Sequence, residues 1–316
     1  MALVAQSEPA HQPTQVWGMA RKSGATTLSF TILASRHAIA HALVIKSALS
    51  VAELAGYTDL LVAVSSIGDT ESRRRFQREL GSFFKKNAHL IEPELGRLGA
   101  ASPEAAYKEV LSRGGELATR LPKPIDSLSE NSRKTMVDSL HLFESLKIQY
   151  QLEAHLPSTS SVHAELLFAV SGVNKKGARE VIATGGRLDE LMKKREKSPI
   201  GHAVGMSLTV PEQLDISEPD AELSCFVVHV GDAAKLKAFT VMDALWRANI
   251  AVQEALMADS MRDQMDRAKK LGAKYIAIIG QREALDNTVI VRNVATGIQG
   301  PIPLDKLAGA VSRATR

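Results

Sequence analysis

Residues 264–307 read QMDRAKKLGAKYIAIIGQREALDNTVIVRNVATGIQGPIPLDKL, and this stretch decides how the chain folds. Helical spacing enters it from Ser260 and stops at Leu271, ahead of Gly272. Lys274–Ile279 then reads as a strand, Thr288–Asn293 as another, and Leu304–Arg313 as a closing helix. Working outward, Leu223–Val230 is a strand, Ala233–Ala248 a helix and Ile250–Glu254 a short strand. Strands alternating with helices predict a compact α/β layer with a largely parallel sheet over residues 223–316. Met257, Met261, Met265, Ala268 and Leu271 recur at helical spacing. They predict the buried stripe of that helix, which turns Arg262, Gln264, Arg267, Lys269, Lys270 and Lys274 outward.

Charge points to the same region. The chain carries 39 Lys/Arg and 35 Asp/Glu, a net charge of +4. Residues 1–222 hold 26 of each sign, so the whole excess, 13 against 9, lies in residues 223–316. A basic bias on one domain suits a polyanion such as RNA. With 45% hydrophobic and 23% charged residues, the chain can build a sizeable core and is not wholly disordered. Aromatics at 4% argue against a base-stacking platform of Phe, Tyr and Trp. The single cysteine, Cys225, excludes an internal disulfide and a cysteine-rich zinc site. No apolar run reaches the ~18 residues of a membrane span.

Upstream, residues 1–25 read as a disordered arm rich in Gln, Ser, Thr, Pro and Ala. Thr27–Ala34 is an apolar strand, His37–Ala55 a helix and Leu60–Ile67 a buried strand. Asp69 suits the N-cap of a helix over Thr70–Lys86. Helical pattern continues to about residue 146, with Pro103 opening one helix, Gly114-Gly115 closing it, and another over Ser129–Leu146. This block predicts a helical insertion inside an α/β domain. Strand signals return at Ile148–Leu152, Val162–Val170 and Ala178–Ala183. Gly185-Gly186 is read as a turn into a short helix, Leu188–Lys194, and residues 211–222 as an acidic linker.

Residues 264–307 resemble the C-terminal anticodon-binding domain of histidyl-tRNA synthetases. The match includes the helix-to-strand step at Leu271–Tyr275, the strand ending before Gly280, Thr296-Gly297 and Pro303-Leu304. VSSIGDTESRRRF at residues 64–76 is similar to the strand-turn-helix that leads into the family's helical insertion. IATGGRLDELMKK at 182–194 resembles its histidine-contacting segment, and GHAVGMSL at 201–208 resembles the helix opening the third class II signature. The resemblance implies an α/β fold: an α+β class II synthetase-like domain at 26–210 with its helical insertion, the linker at 211–222, and an anticodon-binding-like domain at 223–316.

The departures bear on chemistry. The family carries a further N-terminal stretch with its first signature and most of its second, and this chain is expected to lack it. An ATP-binding arginine should precede the strand at Phe30; Ala25-Thr26-Thr27-Leu28-Ser29 stands there. Another should follow the Gly-Leu segment, where Gly205-Met206-Ser207-Leu208-Thr209-Val210 stands. The family's Arg-Gly-Leu-Asp-Tyr-Tyr is replaced near Leu156–Leu166 by Pro157-Ser158-Thr159-Ser160-Ser161-Val162-His163. A preorganised group that stabilises developing charge is commonly worth ~2.7–4 kcal/mol of barrier. The resemblance thus implies a catalytic fold without its chemistry, with no catalytic residue, metal or cofactor.

Several residues have two readings. Gly185, Gly186, Arg187 and Asp189 are a remnant ligand pocket or a turn that needs glycine. His37 and His41, four apart, are a metal pair or a polar helix start. Arg73-Arg74-Arg75, Arg78, Lys85 and Lys86 are a solvated face, with Glu71 and Glu79 as partners, or a phosphate contact. The expectation is a non-catalytic, cytoplasmic, tRNA- or structured-RNA-binding protein, homodimeric and without a membrane segment. The rivals are a regulatory subunit like that of ATP phosphoribosyltransferase, a subunit held by a protein partner, and a histidine–tRNA ligase completed by another chain.

Overall fold

The computed structural model describes residues 14–22, 24–155, 163–194, 201–210, 222–258 and 260–314. The chain divides into two compact units, Met1–Leu214 and Asp215–Arg316. The expected linker at 211–222 lies outside the described residues except for Glu222, as do the Ser-rich segment 157–162 and the charged residues 195–197.

The first unit is a seven-stranded sheet in the order β1-β2-β7-β6-β5-β3-β4. Its strands are β1 (Thr14–Lys22), β2 (Ala25–Leu33), β3 (Thr58–Gly68), β4 (Tyr150–Leu152), β5 (Ala164–Val173), β6 (Arg179–Arg187) and β7 (Ala203–Val210). Neighbours are antiparallel except β3 and β4. Helix α1 (Ile39–Leu54) lies against the sheet and buries Ile39, Leu43, Val44, Ile45 and Ala48.

Two expectations are corrected here. Residues 14–22, assigned to a disordered arm, form β1, which pairs with β2 over nine residues from Thr14↔Leu33 to Lys22↔Ala25. Most of its side chains are exposed, so backbone pairing holds it, and the short run Val16–Ala20 has no polar alternation to mark a strand. Residues 203–210, compared with a helix, form strand β7, inserted between β2 and β6. Buried Ala203, Val204, Met206 and Leu208 suit a strand packed between neighbours.

Between β3 and β4 the chain builds the expected helical insertion: α2 (Thr70–Lys86), α3 (Pro93–Ala101), α4 (Pro103–Arg113), α5 (Glu116–Thr119) and α6 (Glu130–Ser145). It has its own core of Phe76, Leu80, Phe84, Ile91, Leu95, Tyr107, Val110 and Leu121. The N-termini of its first and last helices are capped at one place. The Asp69 carboxylate caps α2 by accepting from Ser72 N–H at 2.8 Å, and the Ser129 hydroxyl caps α6 by accepting from Ser132 N–H at 3.1 Å. Ser129 Oγ also donates to Asp69 Oδ2 at 2.8 Å, and Asp69 N–H donates to Ser132 Oγ at 3.0 Å. Gly68 precedes this junction at φ 64°, and a Cβ there would lie 2.4 Å from Ser72.

After β6 comes the short helix α7 (Asp189–Lys194). The second unit is a five-stranded mixed sheet, order β12-β11-β10-β8-β9. It contains β8 (Cys225–His229), α8 (Asp232–Arg247), β9 (Val252–Glu254), α9 (Met261–Lys270), β10 (Tyr275–Ile279), α10 (Gln281–Asp286), β11 (Thr288–Asn293), β12 (Gln299–Pro303) and α11 (Leu304–Ala314). β8 runs parallel to β9 and β10, while β11 and β12 close an antiparallel edge. Phe226, Val228, Ala268, Ala273 and Ile276 form one of its cores.

Candidate nucleic-acid interface and a buried polar brace

On α9 and in the turn that follows it, the structure separates the six residues expected to face outward. Arg262, Lys269, Lys270 and Lys274 are exposed. Arg262 lies 4.0 Å from Asp266, and Lys274 pairs with Glu222 at 2.7 Å. Arg267 is half-buried, with its Nε enclosed and lacking a hydrogen-bond partner.

Gln264 is a correction, because its side chain is fully buried. Its Oε1 accepts from His229 N–H at 2.9 Å, and its Nε2 donates to the carbonyls of His229 and Ala258 at 3.0 Å each. The amide therefore satisfies backbone groups at the end of β8 and in the loop before α9, and is withdrawn from any RNA. The predicted stripe is rotated accordingly. Gln264 and Ala268 face the core, while Met261 and Leu271 are 42% and 36% exposed. A glutamine between methionines reads as surface; its backbone partners at 229 and 258 are invisible to periodicity.

The second candidate is in the first unit. Gly185 and Gly186 lie within β6 and do not turn the chain, which corrects the turn reading. Crowding between strands explains them. A Cβ on Gly185 would sit 2.3 Å from the Phe168 ring and 2.5 Å from the Gly205 carbonyl oxygen. A Cβ on Gly186 would sit 2.7 Å from the Leu166 carbonyl oxygen.

Arg187 ends β6 with its side chain buried at 7% exposure. Its Nε and one terminal nitrogen donate to the two oxygens of Asp189, both at 3.1 Å, and it also donates to the Ser35 carbonyl at 3.0 Å. Asp189 further accepts from Ala203 N–H at 3.0 Å and approaches His202 Nδ1 at 2.9 Å. Burial opposes ionisation of Asp189, but Arg187 and the Ala203 N–H outweigh it and hold the carboxyl below its ordinary range. The pair thus ties the segment before α1 to the ends of β6 and β7.

Two neighbours were missed as partners of this group. His41, on α1, is fully enclosed, and its ring nitrogens make no well-formed hydrogen bond. Burial, reinforced by Arg187, lowers its pKa to about 3, so the ring is neutral. It is a core side chain and not half of a metal pair with the half-exposed His37. Glu165 is half-buried on β5 at a left-handed φ of 55°, beside a register shift. Burial, and then the charge of Asp69, push its carboxyl above the ordinary range. An acid inside the apolar run 164–170 was the signal available in the sequence.

The basic residues of α2 are divided as well. Arg73 reaches Glu190 at 3.3 Å, and Arg75 pairs with Glu71. Glu79 accepts from Ser127 Oγ at 2.9 Å. Among the described residues no helix is long and apolar enough to cross a membrane.

Comparison with known proteins bears on both units. A family described as the anticodon binding domain matches residues 224–314. The histidine–tRNA ligase of Geobacillus kaustophilus is 27% identical over 271 residues, covering 83% of this chain and 63% of that protein. The Symbiobacterium thermophilum histidine–tRNA ligase is 27% identical over 286 residues, covering 86% of this chain and 64% of that protein. The chain thus spans less than two thirds of the length of these relatives. Among solved structures, apo histidyl-tRNA synthetase of S. aureus aligns at 22% identity and a TM-score of 0.47, over 92% of this chain and 73% of that one. By these matches the chain is histidyl-tRNA synthetase-like, and its last ninety-odd residues, 224–314, match the anticodon binding domain family.

Proposed function

We propose that this chain binds tRNA or another structured RNA through its anticodon-binding domain, and does so without charging it. The family match at residues 224–314 carries the binding half of this reading. Lys269 and Lys270, exposed at the C-terminal end of α9, and Arg262 at its start are the contacts assigned to phosphate. Arg267 and Lys274 lie beside them, one partly enclosed and the other held by Glu222.

Two observations support the non-catalytic half. The hydrogen bonds of Arg187 and Asp189 go to each other, to His202 and to the backbone of Ser35 and Ala203, so they form a brace where an open pocket would need unsatisfied donors. The segment Gly205–Val210, where the resemblance calls for an arginine soon after, is an apolar strand without one. A homodimer and a cytoplasmic setting belong to the same reading, carried over from the resemblance.

The test uses the full chain. Filter binding of a histidine tRNA transcript across a salt series should give a falling affinity, with log K dropping by about 0.7–0.9 per phosphate contact for each tenfold rise in salt. Lys269→Glu/Lys270→Glu should weaken binding and flatten that slope. Unchanged binding in this variant overturns the assigned face. Histidine-dependent tRNA charging by the pure chain overturns the non-catalytic reading.

A further inference from the structure

The insertion carries a groove that the RNA-binding reading of the second unit does not use. Arg75, Arg78, Glu79, Ser82, Phe83 and Lys86 follow one another along one face of α2, and Asn87 and Pro122 complete the lining. The groove they line is open to solvent along its length and holds about 500 Å³, within the volume range of small-ligand sites. The opposite face of α2 buries Phe76, Leu80 and Phe84. Phe83 is half-buried, with its ring edge-on to Phe84 at a centroid distance of 5.6 Å.

The charges around Phe83 are unbalanced. Arg78 lies a little over one turn before it and Lys86 just under one turn after it. Arg75 adds a third cation, matched by Glu71, and the Glu79 carboxylate, which accepts from Ser127 Oγ, offsets one more, so the cations exceed the acids by one. An apolar wall alone would suit any hydrophobic group, and cations alone would suit any phosphate. The combination selects a planar ring joined to a phosphate.

We propose that this groove binds a nucleoside phosphate whose base lies outside a duplex, the base against Phe83 and Pro122 and the phosphate between Arg78 and Lys86. One aromatic side chain holds one base, which is within reach of a chain poor in aromatics. The source is an unpaired nucleotide of an RNA strand or a free nucleotide, and for the first the inference rests on the RNA-binding reading above.

The full chain is titrated into a fluorescein-labelled eight-nucleotide single-stranded RNA and into the same RNA as a duplex, with AMP as competitor. Arg78→Glu/Lys86→Glu should weaken single-strand binding at least tenfold. Phe83→Leu, which keeps apolar packing, should weaken single-strand binding by about tenfold and leave duplex binding unchanged. A thermal melt of each variant reports whether the fold is intact, and the two exposed cations provide a test that does not disturb the insertion core. AMP displacing the octamer at equal occupancy assigns a free nucleotide; AMP failing to displace it assigns the strand. Single-strand binding unaffected by Arg78→Glu/Lys86→Glu overturns the inference. So does loss of duplex and single strand in equal measure with Phe83→Leu silent, since that marks a bare phosphate surface. If the octamer is bound through the groove while Lys269→Glu/Lys270→Glu leaves tRNA binding intact, the groove stands and the anticodon-domain reading falls. If neither the octamer nor AMP, titrated directly by calorimetry, is bound but tRNA depends on Lys269 and Lys270, the reverse holds.

Discussion

Arg187 and Lys269 carry the same charge in opposite circumstances. Arg187 is buried and makes three hydrogen bonds, two to Asp189 and one to the Ser35 carbonyl. Lys269 and Lys270 stand exposed at the end of α9, where cations also suit the helix dipole. What a cation can offer a ligand is set by what already holds it. Counting charge along the chain cannot see this, and the even balance of residues 1–222 hides one fixed arginine at 187 and two exposed cations at 78 and 86.

The contrast is most easily broken at Arg187. Arg187→Ala leaves Asp189 buried without its partner, and removing one member of a buried pair costs ~3–5 kcal/mol. Urea unfolding should show that loss, while Arg187→Met/Asp189→Leu, which removes both charges, should recover part of it. A cost for the single variant no larger than for a surface substitution would mean the pair is not a brace.

Gln264 sharpens the comparison within α9, since it shares a helix with the lysines. Gln264→Leu leaves the His229 N–H and the His229 and Ala258 carbonyls without their partner, at a cost of about 1–3 kcal/mol for unsatisfied buried polar groups. The same unfolding experiment measures it. RNA affinity of the folded variant should be unchanged, and a loss of affinity without a loss of stability would return Gln264 to the binding face.

His41 gives the first unit a pH dependence of its own. Its folded pKa is lowered to about 3, so the folded ring stays neutral while an unfolded ring takes a proton below about 6.5. Its contribution is complete above the unfolded value and is lost as pH falls toward 3. Between pH 6 and 5 stability should drop with a slope approaching one proton, about 1.4 kcal/mol per pH unit. His41→Leu should flatten that slope, and a parent chain whose stability is level across this interval would contradict a neutral buried ring.

The smallest effect is expected on the exposed side. Lys269→Gln/Lys270→Gln should change folding stability by less than about 1 kcal/mol, the loss of two solvent-screened cation–dipole interactions at an exposed helix end. A larger destabilisation in the melt would show that these cations, too, are tied into the structure.

These contrasts also show which parts of the molecule the sequence could reveal. Asp69 before Thr70 is a cap acting through a neighbour three residues away, so local pattern finds it, and Ser129, read as the first residue of its helix, caps in the same way. The alternating strands and helices of residues 223–316 are local as well. Gly185, Gln264 and β1 depend on partners distant in sequence: Phe168 and Gly205, His229 and Ala258, and the whole of β2. A short apolar run such as 203–210 satisfies helix and strand patterns alike, and pairing with β2 and β6 decides it. Of the expected RNA-binding residues, Arg262, Lys269, Lys270 and Lys274 are at the surface, Arg267 half so, and Gln264 is inside.

The junction of Asp69 and Ser129 has a consequence for how this chain can vary over time. A hydrogen bond of 2.8 Å joins two residues sixty positions apart, so the segment between them leaves and re-enters the sheet domain at a single point. The entropy of closing such a loop grows slowly, about 0.6 kcal/mol for each doubling of its length. Lengthening, shortening or exchanging residues 70–128 therefore asks little of the seven strands, provided the two caps persist along with the contacts of Arg73 to Glu190 and Tyr107 to His155. The insertion is a replaceable cassette, and Asp69 and Ser129 are the splice marks.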